Sequence, residues 1–292
     1  MILSAVASAV GRLPRRPATW MGRRIGDLLF LALASRRRRA MANLELAFPR
    51  MPAADRRRVC RGSFQHLGLM LFELCAVLTA PPERILAGIT VVGMENIKDA
   101  VAKHGRALVL TAHLGNWELL ALAHRLTGIP TAVVMRPLDA PWLDTLADQL
   151  RRRSGIELID KRNALRPVLS ALNRGRMVAL LMDQNASRRE GTFVSFFGRP
   201  ASTSKSLAVL AVRTRTPVVP IFIYRERLGE HRIEVQPALD AEAAGDSEQV
   251  ITELTQRCTA AIEAAVRVAP EQWLWVHNRW RTKPAAPEKV QR

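Results

Sequence analysis

His113 and Glu118 stand five residues apart in the run Ala112-His113-Leu114-Gly115-Asn116-Trp117-Glu118. An imidazole within reach of a carboxylate is suited to taking a proton from a hydroxyl. On one continuous helix that spacing turns through roughly 500° and leaves the side chains about 140° apart. The two meet only if His113 closes a strand, Gly115 turns the chain and Glu118 falls in the first helical turn. Glycine permits such a turn, and Asn116 is of the type that caps a helix. A carboxylate on one ring nitrogen then sets the tautomer and frees the other nitrogen as a base. A buried histidine followed by a helix N-terminal acid gives the same short pattern, so the surroundings have to decide.

Those surroundings favour chemistry. Residues 107–111 form an apolar run that ends in a polar turn, and α/β sheets carry their sites at the carboxyl ends of strands. Asp183-Gln184-Asn185 follows the apolar run 177–182 in the same way, and 131–135 runs into Arg136. Three such ends converge in a parallel sheet, although Asp183 also suits a plain turn before 187–191. Residues 193–201 bring together Phe193, Phe196 and Phe197, and Ser202, Thr203 and Ser204 precede a helix expected from Lys205. A helix N-terminus flanked by Arg199 and Lys205 would suit an anion, and the phenylalanines an acyl channel. A buried aromatic loop with an ordinary cap is the simpler account of the same residues. There is no G-x-S-x-G elbow, phosphate loop, dinucleotide fingerprint or H-E-x-x-H helix. His113 therefore has no evident protein nucleophile to activate, which leaves a hydroxyl brought by the substrate. No second His or Cys stands at ligand spacing from it, so neither a metal nor a cofactor is expected.

The elements that must position these groups alternate. Strands are expected at 89–92, 107–111, 131–135, 157–159, 177–182, 218–224 and 232–236. Helices are expected at 64–78, 97–104, 116–126, 140–153, 164–174, 205–213 and 247–268. Such alternation predicts an α/β fold with a largely parallel central sheet covered by helices on both faces. Ahead of it, residues 1–40 carry nine arginines and one acid, Asp27. Ile25, Leu28, Leu29, Ala32 and Leu33 recur there at helical spacing. Neither apolar run of this segment approaches the roughly 20 residues that span a bilayer. An amphipathic helical arm lying on an anionic membrane surface fits better, and it can also pack on the body. The expected division is thus an arm, 1–40, and one body, 41–292.

The chain of 292 residues has 44 Lys and Arg against 26 Asp and Glu, a net charge of +18, so polyanionic partners are expected. A single tyrosine argues against a base-stacking nucleic-acid surface. Three widely spaced cysteines with no CxxC pair fit a reducing compartment.

Taken together, these segments resemble the bacterial lipid A biosynthesis acyltransferases, the late acyltransferases of the lysophospholipid acyltransferase superfamily. The resemblance rests on five or more blocks in order: Asn43-Leu44 with Ala47-Phe48-Pro49, the His113–Glu118 box, Arg136-Pro137-Leu138, Asp183-Gln184, Phe196-Phe197-Gly198 and the closing stretch from Gln272 to Trp280. It implies transfer of a fatty acyl group from acyl carrier protein to a hydroxyl of a lipid A precursor, at the cytoplasmic face of the inner membrane. On that reading His113 is the general base, Glu118 orients it, and Asn116, Arg136, Asp183, Phe197 and Arg199 line the substrate site. The oxyanion would be met by backbone amides near Gly115 or Arg136. Arg151–Arg153, Lys161-Arg162 and Arg188-Arg189 are the basic clusters an acidic carrier would meet. The alternatives are acylation of another polar lipid, such as a glycerophospholipid or ornithine lipid, and a non-catalytic basic membrane-binding protein.

Overall fold

A computed structural model of the chain describes residues 7, 9–135, 149, 151, 153–240 and 248–284. Arg136 and most of the helix expected at 140–153 lie outside them. After residues 7 and 9–11, which are helical, come α1 Arg15–Ala32, α2 Ala34–Ala47 and α3 Ala53–Thr79. After a short α4 (Pro82–Leu86), strands and helices alternate as expected. They are β1 Ile89–Val92, α5 Met94–His104, β2 Ala107–Thr111, the single turn α6 Leu120–Ala123, β3 Thr131–Met135, β4 Glu157–Asp160, α7 Leu165–Asn173 and β5 Met177–Leu181. The hairpin β6 Gly191–Phe196 and β7 Arg199–Ser204 follows, then α8 Ser206–Thr214, β8 Val218–Arg227, β9 Glu230–Val235 and α9 Glu248–Val268.

Seven strands form one sheet in the order β1-β9-β8-β2-β5-β3-β4. Strands β8, β2, β5, β3 and β4 are mutually parallel, while β9 pairs antiparallel with β8 and parallel with β1. The expected α/β class, with helices on both faces of a mostly parallel sheet, is what the chain adopts. Alternation along each strand divides the core into two layers. Leu108, Leu110, Val178, Leu180 and Phe222 face α7, α8, α9 and an aromatic cluster. Ala107, Val109, Met177, Val219, Ile221 and Ile223 face α3, α5 and the residues after His113.

Two expectations change. The helix expected at 116–126 is broken into a 3-10 turn (Trp117–Leu119), α6 and a second 3-10 turn (His124–Leu126). Residues 191–204 form a β-hairpin, so Ser202 and Thr203 are buried strand residues rather than helix caps. Its two-residue turn holds Phe197 and Gly198 at φ +53 and +70, the doubly positive geometry that matches strand twist.

The N-terminal arm packs on α3 through small residues. Ala18, Gly22, Gly26 and Phe30 are its buried positions, at intervals of four. A Cβ on Gly68 of α3 would lie 2.1 Å from the Gly22 carbonyl oxygen, and one on Gly26 would lie 2.3 Å from Gln65 Cα. Beside Phe30, which packs on Phe64, the seam is lined by small residues, and Trp20, Leu28 and Leu31 point outward, 64%, 65% and 67% exposed. By length and composition α3 is the one helix among the described residues that could cross a membrane, and most of that stretch is buried in the protein. Because the α1–α3 seam has no room for a side chain, Gly68→Val should cost about 1–3 kcal/mol of stability. It should also speed tryptic cleavage at Arg23 and Arg24. Unchanged melting and digestion would show that the helices can part without penalty.

Candidate active site

Strands β2 and β5 pair in parallel with Thr111 opposite Leu181. Two residues further along each chain, the same register brings His113 beside Asp183. Asp183 Oδ1 lies 2.8 Å from His113 Nδ1, and its Oδ2 accepts the His113 backbone N–H at 3.0 Å. Trp273 Nε1–H donates to the same Oδ2 at 2.8 Å. Burial opposes the charge of Asp183, but His113 and these donors outweigh it and hold the carboxyl at about 2. Burial likewise pulls His113 down, and the Asp183 charge and hydrogen bond, with Glu118 adding to them, leave it raised above the ordinary imidazole value.

With Nδ1 bonded to Asp183, Nε2 is the free ring nitrogen. Gln184 Nε2 lies 3.3 Å from it, the position an incoming hydroxyl would take. Both side chains line a cavity of about 640 Å³, within the range of small-molecule sites. Its walls are chiefly apolar: Val109, Val133, Ala179 and Leu181 from one face of the sheet, with Met70 and Leu74 of α3 opposite. Among the described residues no hydroxyl or thiol is hydrogen-bonded to His113. The three cysteines are buried and unpaired, and burial pushes Cys60 up to about 11 and Cys258 to about 12. None is a thiolate near neutral pH.

The turn after His113 is held from both sides. Gly115 has φ +59, and a Cβ there would lie 1.9 Å from the Ile223 carbonyl oxygen, so no other residue fits. The Gly115 N–H donates to the Gln272 carbonyl, and the Leu274 N–H to that of His113. Beneath the turn lies a buried polar network. His66 Nε2 bonds the Gly115 carbonyl at 3.1 Å, and Asn116 Nδ2 donates to Glu73 Oε2 at 2.8 Å. Arg225 donates twice to Glu73, at 2.7 and 2.6 Å, and contacts His66 Nδ1. Burial, reinforced by Arg225, pushes His66 well below the ordinary value and keeps it neutral.

A family model described as "Bacterial lipid A biosynthesis acyltransferase" matches residues 1–282. The chain belongs to that family. It is 30% identical over 259 residues to the lipid A biosynthesis lauroyltransferase of Escherichia coli (strain K12), covering 87% of this chain and 83% of that protein. It is 27% identical over 283 residues to the palmitoleoyltransferase of the same strain, covering 96% and 90%. The myristoyltransferase of that strain is 25% identical over 250 residues, with 85% and 76% covered.

In this member of the lipid A acyltransferases, the residues expected at the site divide. Glu118 sits in the first helical turn and lines the cavity, but its hydrogen bonds go to Arg151, at 2.8 and 3.2 Å. The carboxylate bonded to His113 is Asp183, because the strand register delivers it to Nδ1. Asn116 is buried in the network and makes no side-chain cap. Phe197 packs on Phe48 and beneath Arg267, and Arg199 donates to the Leu46 carbonyl. Neither lines the cavity, so the simpler aromatic-cluster account holds for them. The amide of Gly115 is already bonded and cannot serve an oxyanion. Of the cluster expected at Arg151–Arg153, Arg151 is held by Glu118 and Arg153 caps the carbonyls of Val77, Leu78 and Ala80 at the end of α3, while Arg152 lies outside the described residues. Gln184, Arg151 and Trp273 were not expected as site residues. All three belong to segments singled out in the sequence; strand register places Gln184 here, Glu118 holds Arg151, and the C-terminal segment brings Trp273 to Asp183.

The assignment of Asp183 can be checked without turnover. The His113 imidazole should titrate above about 6.5 by NMR. In Asp183→Asn the largest raising influences are gone while burial remains, so the value should fall below that figure. An unchanged titration would mean that Asp183 does not control the ring.

Proposed function

We propose that the protein transfers a fatty acyl group from acyl carrier protein to a hydroxyl of a lipid A precursor, with His113 as general base. The observation that carries this reading is a histidine fixed through Nδ1 by a buried carboxylate, with Nε2 at a mainly apolar cavity. The acceptor hydroxyl gives its proton to Nε2 as its oxygen bonds to the thioester carbonyl carbon. The C–S bond then breaks, and the departing thiolate takes the proton back from His113. Asp183 holds the tautomer and balances the imidazolium. Arg151 supports stabilisation of the oxyanion: it is buried at the cavity wall, fixed by Glu118, and its Nη1 has no hydrogen-bond partner among the described residues. The acyl chain occupies the apolar part of the cavity. The carrier meets the exposed Arg188-Arg189 pair, which follows the cavity residues Gln184 and Asn185 in the chain.

The place of action is the cytoplasmic face of the inner membrane. Support comes from α1, whose outward Trp20, Leu28 and Leu31 stand among exposed arginines. Leu29 of that helix lines the cavity, so the helix proposed to meet the membrane also forms part of the site.

His113→Ala should lower transfer from an acyl carrier donor to the lipid A precursor by about 10²–10⁴-fold, with folding retained. An acyl-enzyme intermediate, or near-normal activity, would refute direct transfer. Equal rates with acyl-CoA would remove the carrier from the proposal. For the membrane, Leu28→Ser with Leu31→Ser should sharply reduce sedimentation with anionic vesicles at low salt, and added salt should weaken wild-type binding. Salt-independent binding that the double variant retains would place the contact elsewhere.

A further inference from the structure

A second cavity, of about 880 Å³, lies against the opposite face of the sheet, beneath the carboxyl ends of β3 and β5. Val134, Leu180, Val168, Val209 and Leu210 give it an apolar floor. The first cavity shares Val134, Lys161, Leu181, Met182 and Ser204 with it, so the two spaces are neighbours at the carboxyl ends of β3 and β5. Its rim is cationic, with Lys161, Arg162, Arg166 and Lys205 against one carboxylate, Glu190. Arg162 is engaged by Asp160 and Lys205 by Glu248. Lys161 and Arg166 have no ion pair or hydrogen bond among the described residues, and both are exposed. Leu165, between them in sequence, is 58% exposed at the same rim.

From the apolar floor and this rim we infer that the second cavity binds a phosphate-bearing lipid, its hydrocarbon on the sheet and its phosphate on Lys161 and Arg166. An apolar floor alone would take any oily chain. Two uncommitted cations at its edge select a chain ending in an anion, and phosphate offers them several acceptor oxygens and up to two charges. The inference rests on the proposed transfer reaction, to which it adds the acceptor's place. The acyl donor then lies on one face of the sheet and the anionic acceptor on the other. The acceptor hydroxyl reaches His113 past the strand ends whose residues line both cavities.

Binding to the full-length protein, measured by calorimetry without turnover, tests this. The probes are monomeric dioctanoyl phosphatidic acid, dioctanoylglycerol and inorganic phosphate. Phosphatidic acid should bind more tightly than either of the others. Lys161→Ala with Arg166→Ala should weaken it at least about ten-fold and leave dioctanoylglycerol unchanged. Arg36→Ala with Arg38→Ala, an equal loss of charge on the arm, should change it by less than about three-fold. His113→Ala should bind normally, so failure of the transfer reaction and failure of this site are read separately. The inference is overturned if the two double variants behave alike. It is also overturned if dioctanoylglycerol binds as well as phosphatidic acid, or if inorganic phosphate does, which would indicate a free-phosphate site.

Discussion

The carboxylate of Asp183 is buried at the end of β5 and accepts hydrogen bonds from the His113 ring, the His113 backbone and the Trp273 indole. It joins the end of β2, the end of β5 and the C-terminal segment at one point. A charge so far from water is tolerated only where each lone pair has a donor and a cation can form beside it. The C-terminal segment is positioned in turn by Asn43 of α2, which donates to the carbonyls of Trp275 and His277. His277 accepts the Asn185 N–H at Nε2, and burial, with His113 and two arginines nearby, pushes it down to about 4 against the pull of Asp183. A neutral imidazole thereby braces the loop that follows Asp183.

Below the His113 turn the Glu73–Arg225 pair does comparable work for the backbone. It is buried, and Asn116, the Gly229 N–H, His231 and His66 surround it with further polar contacts. Replacing such a network with apolar side chains can be neutral for stability. Its contribution here is geometric: it fixes Gly115 and Asn116 against β8, and so fixes the direction from which His113 enters the cavity. Preorganisation of this kind reduces the reorganisation needed when charge develops in the transition state.

The period of two along β2, β3 and β5 gives the sheet two unlike faces. One leaves Val109, Val133 and Ala179 at a cavity, and the other is filled near Asp183 by Phe196, Trp273 and Trp275. The aromatic cluster closes the space beside Asp183 and keeps its carboxylate dry, which strengthens its hold on His113. Helix α1 inverts the usual amphipathic arrangement, with small residues inward and Trp20, Leu28 and Leu31 outward. Close packing on α3 and an apolar outer surface therefore come from the same helix.

Local pattern in the sequence was enough for most of the elements. The apolar runs at 107–111, 131–135 and 177–182 correspond to β2, β3 and β5, and Gly115 turns the chain between His113 and Glu118. These features depend on residues near one another in the chain, where periodicity and glycine act directly. The hairpin at 191–204 is not legible in the sequence, because Phe197 takes a positive φ without being glycine and the hydroxyl run resembles a cap. Tertiary structure alone decided which carboxylate serves His113. Glu118 is close in sequence, but Arg151 claims it, while Asp183 arrives from seventy residues away because β2 and β5 pair in one register. A register is chosen by the burial of whole strands against the layers on both faces, and no single stretch of sequence contains that information.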